Sequence, residues 1–378
     1  MGRWFSLYLD GLRLLGALMV LFAHWAFPRF TGSDHMWMRH HDLGGDGVVI
    51  FFVLSGLLIA YTAEKRRDEG ISLFAADRLS RLWSVALPAL VFCYALDVIG
   101  HAVGPDIYAI FGYQGGISWQ SLVTGATFTN ELWFVSAQPG SNGPYWSLGY
   151  EAWYYAIFAA FFFAPKAWRW GWVALLALIA GPKIWLLAPS WLFGVWIWRA
   201  IASGRLESLS RLTAWTMAIA PVALYFMLHA QSFHWQLHAQ TEMLLGADVM
   251  GMLRHSDTFA WSFILGILTS LHILGVAALL QSRAVSDSPI AGEASIRWLA
   301  GGSFALYLVH FPVMHFMAAI LPGGVEEAWR QAAVLIAPCI IAYLFAEITE
   351  RRRPALRKWL RDYAQKENRR HDPVTAAQ

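Results

Sequence analysis

Long apolar runs follow one another along this chain with short polar breaks, and their lengths predict membrane-spanning helices. A helix rising 1.5 Å per residue needs about 20 residues to cross a ~30 Å hydrocarbon layer. Ten stretches meet or approach that length, near residues 8–28, 46–63, 82–101, 144–163, 170–182, 184–201, 211–229, 258–280, 298–320 and 328–348. The fifth and sixth are short and share the run at Gly181-Pro182-Lys183, which reads either as a tight turn or as a break within one bent element. Residues 119–133 form a further, moderately apolar stretch suited to a re-entrant or interfacial helix. The expectation is an all-α integral membrane protein, a single bundle of about ten transmembrane helices over residues 1–355, with a basic tail at 356–378.

Composition supports this class. Hydrophobic residues make up 57% and charged residues 14%, with 21 tryptophans. Soluble domains carry about 25% charged residues, and tryptophan collects at lipid–water boundaries. The net charge of +3 is too small to imply a nucleic-acid partner. Only Cys93 and Cys339 are present, both inside predicted spans, so neither a disulfide framework nor a cysteine metal site is available. The N-terminus imitates a signal peptide, with Arg3 before an apolar run at 14–23. Asp10 and Arg13 interrupt the approach and no A-x-A-like site follows, so it reads as a retained first span. No linker rich in proline and serine and no internal repeat is visible. The lack of a repeat counts weakly against a secondary transporter.

The basic residues set an orientation. With an inside N-terminus and ten spans, 22 of the 28 lysines and arginines fall on the inside and five on the outside. Under the positive-inside rule both termini are then cytoplasmic. The run from Arg351-Arg352-Arg353 to Arg370 lies on that face, read as a topology anchor in contact with anionic membrane lipids.

Ionisable residues inside spans are costly and usually face a cavity or a partner. Arg13 and His24 share the first span. Eleven residues correspond to about 16 Å of rise and ~20° of rotation, so both lie on one stripe at different depths. The orientation puts Arg13 in the inner half, and His24 and Asp46 near the outer side. Glu151 lies about 10 Å below the outer end of the fourth span. In the ninth, Ser303, Tyr307 and His310 share a face. Arg78 and Arg81 precede the third span on the cytoplasmic side.

Each has a bland alternative. His24 suits an inter-helix hydrogen bond, Arg13 a pair with Asp10, and Asp46 a helix N-cap. Tyr307 and His310 suit a closed bond between helices, and Arg78 and Arg81 suit ordinary positive-inside residues. Glu151, flanked by tryptophan and tyrosine, needs a partner or a proton. His35, His40 and His41 share one outer loop without a second ligand group at metal spacing, so no metal is expected.

At these same residues the chain resembles the bacterial membrane-bound acyltransferases of type three, which include O-antigen acetylases and nodulation-factor acylases. Leu9-Asp10-Gly11-Leu12-Arg13 with His24 is similar to the family's first-helix motif. Gly47-Val48-Val49-Ile50-Phe51-Phe52-Val53-Leu54-Ser55-Gly56-Leu57-Leu58-Ile59 resembles its second-helix signature. Arg78-Leu79-Ser80-Arg81 resembles a cytoplasmic R-x-x-R motif. Trp146-Ser147-Leu148 with Glu151, and Leu306-Tyr307-Leu308-Val309-His310-Phe311-Pro312, resemble later motifs. Two features depart from the pattern. Leu14-Leu15-Gly16 replaces the usual Gly-Leu-Ala, and Val49 stands where an aspartate is frequent, with Asp46 three residues earlier.

The resemblance implies transfer of an acyl group, commonly acetyl, from cytoplasmic acyl-coenzyme A to a hydroxyl of a cell-surface or lipid-linked carbohydrate. The expected site is the bacterial cytoplasmic (inner) membrane. Some relatives carry an added extracytoplasmic hydrolase-like domain; the chain's end soon after the tenth span leads to the expectation that it is absent here. Such chemistry needs a base for the hydroxyl and stabilisation of a tetrahedral oxyanion. His24 is the candidate base, oriented by Asp46 or Glu151. Trp146, Ser147, Tyr307 and His310 are candidate contacts to substrate or oxyanion. Arg13 is too far along the helix to share that centre and is assigned to the donor's phosphates or pantetheine arm. Arg78 and Arg81 are assigned to the nucleotide phosphates, which guanidinium suits. The rival is a transporter or flippase of a small anion or lipid-linked sugar, using the same polar residues without covalent chemistry. The sequence leaves the oligomeric state open.

Overall fold

The computed structural model describes residues 1–109, 116, 118–281 and 290–370, and among these it holds helices and no strands. The helices used below are α1 (Arg3–Trp25), α2 (Leu43–Lys65), α3 (Gly70–Val103), α4 (Trp119–Ala126), α5 (Trp146–Phe163), α6 (Arg169–Ala180), α7 (Pro182–Ala202), α8 (Arg211–Ala230), α9 (Phe233–Leu245), α10 (Phe259–Gln281), α11 (Glu293–Ala300), α12 (Ser303–Ile320), α13 (Ala328–Ile348) and α14 (Arg353–Arg370). Nine of the ten expected stretches hold a helix of 18 residues or more, and the fifth holds the shorter α6. Eight segments of the described chain are long and apolar enough to cross a membrane. The chain is therefore an all-α, multi-pass membrane protein. At 12 residues, α6 is short of a full crossing. Arg283, assigned above to the inner face, lies outside the described residues, as does the tail beyond Arg370.

The helices form two compact units, each assembled from two separated stretches of chain: Met1–Thr62 with Gly181–Ser303, and Ala63–Ala180 with Phe304–Gln378.

In the first unit, glycines let helix backbones touch. A Cβ on Gly56 of α2 would lie 2.0 Å from the carbonyl oxygen of Trp191 in α7, and one on Gly194 would lie 2.0 Å from that of Val53. A Cβ on Gly47 would lie 2.7 Å from the Gly16 carbonyl of α1. These are the small-residue contacts by which helices pack where lipid removes the hydrophobic drive between them. The glycines of the second-helix signature thus have a packing reason. Trp191 locks the same crossing by donating to Ser55 Oγ at 3.2 Å. Between α6 and α7 the chain makes a tight turn rather than a bend in one helix. Gly181 sits at φ +81, which favours glycine, and Pro182 occupies the first turn of α7.

In the second unit, α3 runs unbroken for 34 residues, about 51 Å. Its first 12 residues add about 18 Å to the expected span and carry Asp77, Arg78 and Arg81. The stretch 119–133 is helical only over α4, which Ser118 caps by accepting from Ser121 N–H at 3.2 Å. Phe128 and Trp133 have positive φ, incompatible with continuing the helix. The irregular chain from there to α5 buries Asn130, Glu131, Ser141 and Asn142. Irregular backbone survives at membrane depth only inside protein or along a cavity. The tail is helical too: α14 lies against α3 through the ion pairs described below.

Candidate functional site

In the first unit, α1 is uninterrupted and carries Arg13 and His24 as the spacing requires. His24 Nδ1 lies 2.9 Å from the carbonyl oxygen of Val20, one turn earlier. A carbonyl only accepts, so Nδ1 carries the proton and a neutral ring keeps its lone pair on Nε2. The imidazole stacks on Phe27, with centroids 6.0 Å apart. Arg39 and Arg29 lie over that same phenyl ring, 3.4 and 4.1 Å from its centroid. Burial, then repulsion from Arg39, lowers the Arg29 pKa to about 10.

Arg13 donates to Asp10 Oδ1 at 3.1 Å, the pairing that its spacing allowed. Asp10 is shared: its Oδ2 takes Arg297 of α11 at 3.0 Å. Arg297 also holds Glu293, which pairs with Arg3. Three arginines thus face two carboxylates along this strip. On another face of α1, an apolar cavity of about 330 Å³ runs past Leu12, Leu15 and Met19, with Asp46, Tyr225 and His272 in its wall.

Asp46 is fully buried and is not an N-cap. Asp42 fills that role, accepting from Gly45 N–H at 3.4 Å just ahead of α2. Asp46 instead accepts from Trp261 Nε1 at 2.8 Å on Oδ1, and from Tyr225 Oη at 2.8 Å and His229 Nε2 at 2.9 Å on Oδ2. Three donors from α8 and α10 thus satisfy both of its buried oxygens. No bond from Asp46 to His24 is among these. Val49, one turn on, packs against Trp261 as well, so Asp46 reaches the neighbour that position 49 faces. Two further histidines join this end: His234 Nε2 lies 2.8 Å from the His40 carbonyl, and its ring is 4.7 Å from that of His229.

In the second unit, Glu151 of α5 accepts from Tyr155 one turn below and lies in the field of Arg81 and Arg78. With Asp77 and Glu350 it supplies the negative charge around the two arginines of the R-x-x-R segment. Ser147 Oγ and Tyr307 Oη are 2.7 Å apart, and Tyr307 also donates to the Pro144 carbonyl at 3.0 Å. This is the closed bond between helices, and it ties α12 to the start of α5. His310 is buried and places Nδ1 2.8 Å from the Leu306 carbonyl. Trp146 is half-buried and edge-on to Tyr150 at 5.0 Å.

Sequence reasoning passed over Asp97, although it stands in the third apolar run and the rule that singled out Glu151 applies to it. It is fully buried and accepts from Ser141 N–H at 2.7 Å and Ser141 Oγ at 2.6 Å. It thereby pins the chain entering α5. Gly140 must be glycine there, with φ +55 and a Cβ that would fall 2.1 Å from Asp97 Oδ2. The partners of Asp46 and the acid Asp77 were also passed over. Among the described residues no group of three metal-ligating side chains is placed to hold a metal ion.

Comparison with known proteins gives these motifs a family. The sequence profile of acyltransferase type three, described as an acyltransferase domain, matches residues 6–347. The chain belongs to that family. It is 24% identical over 360 residues to acyltransferase MdmB of Streptomyces mycarofaciens, covering 86% of this chain and 84% of that protein. It is 25% identical over 355 residues to the peptidoglycan O-acetyltransferase OatA of Listeria monocytogenes, covering 89% of this chain and 54% of that one. It is 28% identical over 138 residues to the exopolysaccharide production protein ExoZ of Rhizobium meliloti, covering 35% and 38% of the two chains. The chain thus spans about two fifths of ExoZ and about half of OatA. No solved structure matches it.

Proposed function

We propose that this protein is an O-acyltransferase that moves an acyl group, acetyl being the simplest, from cytoplasmic acyl-coenzyme A to a hydroxyl of a cell-surface or lipid-linked carbohydrate. The observation that carries the reading is the bond from His24 Nδ1–H to the Val20 carbonyl. It fixes the tautomer a general base needs, with the lone pair on Nε2. Family membership and the names of the relatives supply the reaction class and the acceptor class.

In this reading both termini are cytoplasmic, the membrane is the bacterial inner membrane, and the acceptor meets His24 from the outer side. Nε2 takes the proton of the carbohydrate hydroxyl while its oxygen attacks the thioester carbonyl. The carbon–sulfur bond then breaks, and coenzyme A leaves as the thiol after accepting that proton. Arg13 holds the donor further in. Arg78 and Arg81 hold nucleotide phosphates, and Glu151 positions them. Asp46 acts as a positioning residue, fixing α2 against α8 and α10. Trp146 offers a ring face to a sugar, while Ser147, Tyr307 and His310 hold α12 in place.

The test is acylation by the purified protein. Labelled acetyl-coenzyme A is supplied with candidate glycans, and ester formation is read by mass spectrometry. Label on a glycan hydroxyl is the expected result. Substrate flux across proteoliposomes without any covalent product would favour a transporter instead.

A further inference from the structure

The C-terminal helix was expected to be a tail on the membrane surface, yet it is docked by ion pairs. Arg357 clamps Asp77 of α3 with Nε–Oδ1 at 2.7 Å and Nη2–Oδ2 at 2.9 Å. Arg361 reaches Asp77 Oδ1 at 3.0 Å and Glu69 at 2.8 Å, and Arg66 reaches Asp77 Oδ2 at 2.7 Å. Asp77 is therefore saturated by three guanidiniums. Arg353 is left with the Asp77 backbone carbonyl, 3.3 Å from its Nη2, and it sits in the field of Arg78, Arg81 and Arg357.

The cluster is unbalanced. Arg66, Arg78, Arg81, Arg353, Arg357 and Arg361 meet the carboxylates of Asp77, Glu69, Glu151 and Glu350. The Nε atoms of Arg78 and Arg353 are shielded from solvent and have no hydrogen-bond acceptor among the described residues. A groove of about 370 Å³ runs along α14, walled by Arg353, Arg357, Lys358 and Arg361 with Asp362 and Gln365. Buried donors are normally satisfied, and a guanidinium fork matches phosphate oxygens in pairs.

We propose that α14 is a phosphate clamp. Arg353 and Lys358 of α14, together with Arg78 of α3, bind the phosphates of a nucleotide-bearing acyl donor, while Asp77 holds Arg357 and Arg361 so that the helix stays closed over the site. The proposal rests on the acyl-coenzyme A reading above and extends it from the R-x-x-R segment to a second helix. Asp77's hold on Arg357 and Arg361, and a groove lined by four cationic side chains, favour a compact polyphosphate over a diffuse lipid surface.

The experiment is equilibrium binding to the full chain in neutral-lipid nanodiscs, with coenzyme A and pantetheine as probes. Phosphatidylglycerol vesicles form a third arm. The wild-type protein is expected to prefer coenzyme A to pantetheine. Arg353→Gln loses about tenfold or more in coenzyme A affinity and nothing for pantetheine, the scale of one charged hydrogen-bonded contact. Arg353→Lys recovers part of the loss, because charge without the fork is a weaker grip. Lys358→Gln, a groove residue that takes no part in the Asp77 ion pairs, shows a smaller loss and guards against misfolding of the first variant. If the wild type shows no preference for coenzyme A, the donor reading itself falls. If the preference survives in Arg353→Gln and Lys358→Gln, the clamp alone is overturned. A loss confined to the phosphatidylglycerol arm assigns the groove to lipid headgroups and likewise overturns it.

Discussion

Trp261 donates its indole N–H to Asp46 across 2.8 Å, and the same indole packs against Val49 one turn further along α2. The second-helix signature that this segment resembles often has an aspartate where Val49 stands, and Asp46 and Val49 share Trp261 as a neighbour. Asp46→Val should therefore cripple the protein, and the double exchange Asp46→Val with Val49→Asp should recover part of the lost acylation. Activity of the double variant at or below that of Asp46→Val would show that the two positions are not equivalent.

The three donors on Asp46 make it a stability residue as well. Asp46→Ala leaves Tyr225, His229 and Trp261 with buried polar groups unmatched, a change on the order of 3–5 kcal/mol when a buried charge network is broken. Tyr225→Phe removes one donor and should lose about 1.5–3 kcal/mol. Denaturant unfolding in detergent micelles reads both, and equal stability of Asp46→Ala and wild type would contradict the network.

The α2–α7 crossing predicts a steric effect. A Cβ at Gly56 or Gly194 would fall 2.0 Å from a backbone carbonyl oxygen on the facing helix. Neither oxygen can move without displacing its helix. Gly56→Ala and Gly194→Ala should each lose about 3 kcal/mol, the upper part of the usual range for overpacking. A melting temperature unchanged in both would argue against so close a crossing.

Asp42 predicts a pH dependence. Burial, followed by the nearby charge of Asp46, raises its carboxyl to about 7 from an ordinary 3.8. A raised acid binds its proton more tightly when folded than when unfolded. The folded state is thus favoured at low pH and loses that contribution as pH rises from about 4 to about 7, with no further change above. Asp42→Asn keeps the cap on α2 while removing the titration. Its melting temperature should vary less with pH across that window than the wild type's.

Arg13→Ala and Glu151→Gln separate donor binding from chemistry. Both should raise the KM for acyl-coenzyme A, the first by removing a donor contact and the second by loosening Arg78 and Arg81. Steady-state kinetics at saturating acceptor reads this, and a fall in kcat alone would contradict both assignments.

The helices of the ten apolar stretches were legible because apolar length is a local property. The polar start of α3 was not, since Asp77, Arg78 and Arg81 break the apolar pattern and their partners lie far off in sequence, Arg357 and Arg361 of α14 for Asp77 and Glu151 for the arginines. That tail reads as a basic run until arginines four residues apart meet one acid. His24 and Arg13 stood out because a charge in an apolar run is visible by itself. The partners of Asp46 lie about 180 to 215 positions away, and no local pattern announces them. Asp97 was legible and passed over, and its bond to Ser141 explains how the irregular chain before α5 is held.

The central claim is that His24 acts on the acceptor while the donor is held elsewhere. Its most direct test is His24→Ala, measured for both glycan acylation and coenzyme A binding. The account predicts transfer reduced to background with donor affinity within about twofold of wild type, since about 16 Å of helix separates His24 from Arg13. Acylation at the wild-type rate in the His24→Ala protein would contradict it.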